Sequence, residues 1–296
     1  MQSARQQRRS ESVAGSRLVG SPQWEILVID NNSNDNTPII VKDACRRYPD
    51  RFRYLSETRP GKSNALNTGI KHARGSVLAF MDDDVVVDPD WLSNITAPLM
   101  HGDCAGAGGR VLLERGVILP GWVPLKERYA LAPLAVFDLG SNRHWLSEAP
   151  VGTNMAFRRE VFDRYGRFRT DLGPQPGSEI RGEDSEFANR LMNAGERILY
   201  EPSAIVYHSV PTTRLRKSYF LNWWFDKGRG DLLESPIADS VRWSVRGVPL
   251  VWFRRIALWT LRWFLAVGQS RRFSARLRVS YLAGQITEGW RQQVWL

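Results

Sequence analysis

The chain has 296 residues, 43% hydrophobic and 11% aromatic, enough for one large core with an appendage. Lysine and arginine number 41 against 31 aspartates and glutamates, a formal net charge of +10, which favours anionic partners. Cys45 and Cys104 lack metal or redox spacing, and the polar, Arg-rich start has no apolar signal core, so a cytoplasmic setting is expected.

Residues 1–22 have little to bury and are expected to be disordered. Residues 24–29, WEILVI, read as a buried strand. Thr37 can cap a helix with Pro38 at its first position, running to about Tyr48. Residues 52–56 form a short strand, and Ser63 or Asn64 opens a second helix that ends near Gly75. Residues 76–81 are the next buried strand, and Asp88 with Pro89 opens a third helix. Residues 105–150 read as irregular, 159–165 and 183–194 as helices, and 197–201 as a strand. The alternation predicts an α/β fold with a mostly parallel sheet covered on both faces. Ligands then sit at the carboxyl ends of strands, where Asp30 and Asp82-Asp83-Asp84 both fall.

Five segments carry candidate chemistry. In FMDDDVVVDPDW, three adjacent carboxylates repel one another, and a divalent cation such as Mg²⁺ or Mn²⁺ removes that cost. A solvated acidic turn is the bland alternative, although Asp88 already serves as the helix cap. In VIDNNSNDNT, Asp30 ends a strand and Asn31 opens a polar turn that reads a base or ribose, or simply links strand to helix. In RPGKSNALNTGI, Lys62 near a helix start suits a phosphate or base, or is an ordinary solvated lysine. In RGEDSEFANRL, Glu183 and Asp184 open a helix whose dipole keeps a carboxylate ionised, as a general base requires; helix capping alone is the competing explanation. In IVYHSV, His208 follows a strand and is either a metal ligand or structural.

In combination and in order, WEILVIDNNSNDNT, GKSNALNTGI, FMDDDVVVDPDWL, GTNMAFRREVF and GEDSEFANRL resemble the family 2 glycosyltransferases of GT-A fold. The resemblance covers roughly residues 24–230. It implies a Rossmann-like, mixed, mostly parallel sheet flanked by helices, with a C-terminal helical appendage. It also implies inverting transfer from a nucleoside-diphosphate sugar to a saccharide or lipid-linked acceptor, in cell-surface polysaccharide or glycolipid synthesis. Carried onto this sequence, Asp30 and Asn31 contact the base, although many relatives have a second acidic residue where Asn31 stands. Lys62 lies near base or phosphate, and Asp82 and Asp83 approach the ribose and metal. Asp84 binds the metal, joined by Asp82 and His208. Thr153, Asn154 and Glu183 line the acceptor and sugar pocket, and Asp184 is the general base. A non-catalytic nucleotide-sugar-binding relative is the competing reading.

Relatives begin with a further strand and helix that nothing upstream of Trp24 matches, so an N-terminally truncated domain over residues 23–230 is expected. Loss of that strand leaves an exposed sheet edge, with lower stability and activity than in a full-length relative. Residues 231–296 are expected to be a Trp- and Arg-rich helical region. Its 21-residue apolar run, 248–268, has the length of a membrane span, but Arg254, Arg255 and Arg262 each cost roughly 2.5–3.5 kcal/mol at the bilayer centre. A helix lying on the inner face of the cytoplasmic membrane suits that composition, and packing against the catalytic domain is the alternative. The basic residues fit no nucleic-acid-binding signature, so no nucleic acid partner is expected.

Overall fold

The computed structural model describes residues 23–102, 104–237 and 243–293. The expected disorder of residues 1–22 falls outside them. Two compact units emerge. The first comprises the chain up to Arg115, Ala135–Pro176 and Glu183–Ser209; the second comprises Gly116–Leu134, Gly177–Gly182 and the chain from Val210 onward. The units interleave in sequence.

The first unit opens with β1 (Ile26–Asp30), α1 (Thr37–Arg47) and β2 (Phe52–Ser56), a right-sized βαβ unit whose strands pair in parallel, Asp30 opposite Ser56. The N-cap of α1 is Asn36 rather than Thr37; the Thr37 amide donates to Asp35 Oδ1 at 2.9 Å. Next come α2 (Lys62–His72), β3 (Val77–Met81), β4 (Val85–Val87) and α3 (Trp91–Met100). The expected cap at Asp88 is displaced: α3 starts at Trp91 with Asp90 at its N-cap, and Asp88 holds the preceding turn through its carbonyl. The unit continues with β5 (Gly106–Leu113), β6 (His144–Trp145), β7 (Asn154–Arg158), α4 (Arg159–Tyr165), α5 (Glu183–Asn193) and β8 (Ile198–His208).

Strands β3, β7, β5, β8 and β4 pair in that order, with β6 attached to β8. The expectation of a mostly parallel sheet is corrected here. Only β5 and β8 run parallel in this sheet; β3–β7, β5–β7, β4–β8 and β6–β8 are antiparallel. Strands β4 and β7 run against their neighbours: β4 returns from β3 after only the three residues Asp82–Asp84, and β7 lies antiparallel between β3 and β5. Among the described residues, β1 pairs only with β2 and β3 only with β7, so each keeps one edge without a strand partner. Residues 26–29 are accordingly only partly buried.

Strand β5 lies where irregular structure was expected. Its GAGG run has poor strand propensity, but its neighbours demand small residues: a Cβ on Gly109 would run into the Asn154 amide and the Ala204 carbonyl. Beneath the sheet, Phe80, Phe157, Phe162, Phe168 and Phe187 pack as one aromatic cluster. Phe162 and Phe187 stack at 4.8 Å and Phe157 meets Phe187 edge-on at 5.1 Å. Such pairs add about 0.5–1.5 kcal/mol each beyond area burial.

The second unit is helical: α6 (Lys217–Glu234), α7 (Leu250–Leu265) and α8 (Gln269–Gln293). Helices α6 and α8 approach closely because Gly228 lies against the Tyr281 carbonyl and Gly284 against the Phe225 carbonyl, leaving no room for a Cβ at either. Tyr281 donates to Asp231 at 2.7 Å and Arg229 to Glu288 at 2.9 Å across the same interface.

Candidate active site

The carboxyl end of β1 is organised around Asp30. Its Oδ2 accepts from Tyr54 at 2.6 Å and its Oδ1 from the Ser33 amide at 2.9 Å. Burial raises the carboxyl pKa, but these hydrogen bonds outweigh it and hold the group below the ordinary range. Asn31 engages the backbone of the turn that follows β2. Its amide nitrogen donates to the carbonyls of Glu57 at 2.9 Å and Arg59 at 2.7 Å, and its oxygen accepts from the Gly61 amide at 2.8 Å. All three polar positions thus tie β1 to the turn that delivers α2. Gly61 sits there at φ 115°, a left-handed conformation that glycine adopts without strain.

That turn places Lys62 at the start of α2. Its ammonium lies 3.1 Å from Asp82 Oδ1 and 3.2 Å from Glu183 Oε1. Burial disfavours the charged amine, but Asp82, Glu183 and Asp184 outweigh it and hold the amine above the usual lysine range. Glu183 is buried, and desolvation pushes its carboxyl up, with Lys62 opposing and Asp184 reinforcing the shift. Lys62 is therefore the hub of a three-carboxylate cluster rather than a solvated lysine.

Asp184 opens α5. Its Oδ2 accepts the Gly152 amide at 2.7 Å and its Oδ1 the Ser185 amide at 2.8 Å. Two backbone donors fix the orientation of the carboxylate, as a general base needs. Gly152 preceded the residues singled out in GTNMAF and was not among them; the signal in the sequence was only that glycine's position. A Cβ there would stand 2.8 Å from Asp184 Oδ2 and 3.3 Å from Lys62 Nζ.

The acidic run joins β3 to β4 and splits by direction. Asp82 turns toward Lys62 and accepts from Thr153 Oγ1 at 2.8 Å. Asp83 is exposed. Asp84 lies 3.1 Å from His208 Nε2, brought there because β4 pairs with β8 so that Val85 faces His208. Of the expected metal set, Asp84 and His208 meet while Asp82 points elsewhere. Among the described residues no group of three or more His, Cys, Asp or Glu side chains is arranged to hold an ion by itself. One carboxylate and one imidazole nevertheless suit a cation that completes its shell with diphosphate oxygens and water.

Thr153 keeps a place at the site, but Asn154 is enclosed. It is fully buried, donates to the carbonyls of Ala204 at 2.8 Å and Arg110 at 3.1 Å, and accepts from Trp91 Nε1 at 2.9 Å. Its side chain braces β5, β7, β8 and α3 instead of lining a pocket. Glu57 is a further residue that sequence reading missed: it receives Arg59 Nη2 at 2.8 Å and also Thr68. Hydrogen bonds from Arg59 and then Thr68 hold its carboxyl well below the usual range.

A family model for glycosyl transferase family 2 matches residues 5–166. The chain belongs to glycosyl transferase family 2. The match begins upstream of Trp24, where the resemblance read from motifs starts. The glucosyl-dolichyl phosphate glucuronosyltransferase of Haloferax volcanii is 24% identical over 238 residues, covering 77% of this chain and 73% of the relative. The succinoglycan biosynthesis protein ExoM of Rhizobium meliloti is 25% identical over 219 residues, covering 74% and 67%. The solved structure of the mannosyltransferase PcManGT from Pyrobaculum calidifontis, in complex with GDP-Man and Mn²⁺, superposes with TM-score 0.64 at 19% identity, covering 98% of this chain and 84% of that one. The fold is thus that of the GT-A glycosyltransferases: a mixed sheet flanked by helices, followed here by a C-terminal helical region. Family 2 relatives serve polysaccharide and glycolipid synthesis, as the names of these two indicate.

Proposed function

We propose that this family 2 member transfers a glycosyl group from a nucleoside-diphosphate sugar to an acceptor hydroxyl, with inversion at the anomeric carbon. The observation that carries the reading is the Asp184 carboxylate, fixed by two backbone amides beside the Lys62, Asp82 and Glu183 cluster. Asp184 takes the acceptor proton as the hydroxyl attacks, which a single displacement needs and for which no enzyme nucleophile is required. Glu183 and Lys62 hold the local charge balance, and Thr153 orients Asp82 toward the donor. Asp30, with its carboxylate kept ionised by Tyr54 and Ser33, receives the base, and Asn31 positions the turn beside it.

Asp84 and His208 would hold a divalent cation, Mg²⁺ or Mn²⁺, which when bound supplies neutralisation of charge on the departing diphosphate. Asp82 and Asp83 lie on the same loop and would approach the ribose and the metal region. The acceptor is a saccharide or a lipid-linked sugar, met at the inner face of the cytoplasmic membrane. Among the described residues no helix is long and apolar enough to cross a membrane.

A thermal-shift screen of nucleoside-diphosphate sugars, with and without Mn²⁺, tests the donor half of this reading. A ligand that binds the native state at a hundredfold over its Kd adds about 2.7 kcal/mol of stability. At least one donor is expected to raise Tm, more so with Mn²⁺. Absence of a shift across uridine, guanosine, cytidine and thymidine diphosphate sugars would argue against it.

A further inference from the structure

The outer face of α7 is apolar and basic at once. None of its residues is buried, although the helix rests on α8. Leu258, Leu261, Phe264 and Leu265 are 57%, 55%, 67% and 70% exposed, and Val251 at the first turn is 48% exposed. Positions 251, 258, 261 and 265 recur at helical spacing and share one side. Single exposed leucines are ordinary; five large apolar side chains on the open side of one helix are not.

The charge around this stripe has one sign. Residues 243–287 contain eight arginines and no aspartate, glutamate or lysine. Arg254, Arg255 and Arg262 are exposed on α7, and Arg271, Arg272 and Arg276 on the first turns of α8. Trp259 and Trp263 are partly buried, with Arg262 4.7 Å from the first ring and Arg276 5.3 Å from the second. Amphipathic side chains of this kind settle at a headgroup boundary.

We propose that this face of α7 docks on an anionic bilayer surface, with the leucines and Phe264 among the upper acyl segments and the arginines among lipid phosphates. Length excludes a span: 16 residues rise about 24 Å, short of a hydrocarbon core of about 30 Å. A second copy of the same face would set arginine against arginine. A nucleic acid would meet the positive charge but leave the leucines in water. Of the three, an anionic lipid surface satisfies both features. The inference specifies the membrane partner named above and rests on that placement; it does not depend on the transfer chemistry.

Flotation of the full chain with vesicles of phosphatidylcholine, alone or mixed with phosphatidylglycerol, tests it. Binding is expected to the mixed vesicles, to weaken with added salt, and to be slight on phosphatidylcholine alone. Arg254→Gln with Arg255→Gln should lower the partition coefficient more than tenfold, at roughly fivefold per arginine. Leu258→Ser, Leu261→Ser and Leu265→Ser together should abolish binding and the blue shift of tryptophan emission. Both variants should keep the wild-type circular dichroism and donor-induced thermal shift, because the altered side chains are exposed. Wild-type binding that ignores lipid charge, equal binding by wild type and both variants, or a dimer that falls to monomer in the leucine variant without vesicle binding would overturn the proposal. Donor turnover in the same samples separates the two readings: turnover without vesicle binding removes only the surface, and vesicle binding without turnover removes only the transferase chemistry.

Discussion

Gly152 donates its backbone N–H to Asp184 Oδ2 at 2.7 Å, and a Cβ on Gly152 would stand 2.8 Å from that same oxygen. The proposed base is therefore positioned by a residue that cannot grow. Gly152→Ala should push the carboxylate off its two amides while leaving the sheet intact. Displacement of a catalytic group by about 1 Å costs on the order of a hundredfold in rate. Steady-state kinetics should show kcat falling by about that factor with KM for the donor little changed, and Tm shifting by only a few degrees.

Lys62 tests the charge cluster by stability rather than by rate. Removing one partner of a buried ion pair leaves the other uncompensated, at a cost of about 3–5 kcal/mol. Lys62→Met should thus destabilise strongly at neutral pH. Glu183 is the buried residue left behind, and its carboxyl is already pushed up by desolvation. Acidification protonates it, so the loss in Tm should shrink as pH falls toward the glutamate range. Adding Glu183→Gln should recover part of the loss; no recovery in the double variant would show that the pair is not the cause.

Glu57 gives a prediction of opposite sign. Its folded pKa lies below the ordinary value of 4.5, because Arg59 and Thr68 hydrogen-bond the ionised form. The unfolded state therefore binds the proton first, and the native state loses stability as pH falls below about 4.5. Urea unfolding between pH 6 and pH 3 should show a shallower acid decline for Glu57→Gln than for wild type. Parallel declines would remove Glu57 from the account.

Much of the candidate site was legible because its residues lie in short, ordered motifs. Asp82, Asp84, Lys62, Glu183 and Asp184 all fall at strand ends or helix starts, which period and capping chemistry locate. What the motifs do not encode is direction. Nothing local tells Asp82 to turn to Lys62 while Asp84 turns to His208; that follows from β4 pairing with β8 and from the turn held by Asn31. The family resemblance makes Asn31 and Asn154 ligand contacts. In the folded chain Asn31 serves the carbonyls of Glu57 and Arg59, and Asn154 the buried carbonyl of Ala204, demands visible only after the chain is folded. Strand β5 was missed for the same reason, since its glycines are set by the approach of Asn154 and Phe157 and not by propensity.

The central claim is that Asp184 takes the proton of the acceptor hydroxyl as it attacks a donor whose diphosphate would lie at Asp84. The most direct measurement is release of nucleoside diphosphate from the donor identified by thermal shift, with Mn²⁺ and a saccharide or lipid-linked acceptor, by wild type, Asp184→Asn and Asp84→Ala. Asp184→Asn should lose about 10²–10⁴-fold in rate while retaining the donor-induced thermal shift. Asp84→Ala should lose both turnover and the Mn²⁺-dependent part of that shift. Turnover unchanged in Asp184→Asn, or Mn²⁺-dependent donor binding unchanged in Asp84→Ala, would contradict the assignment.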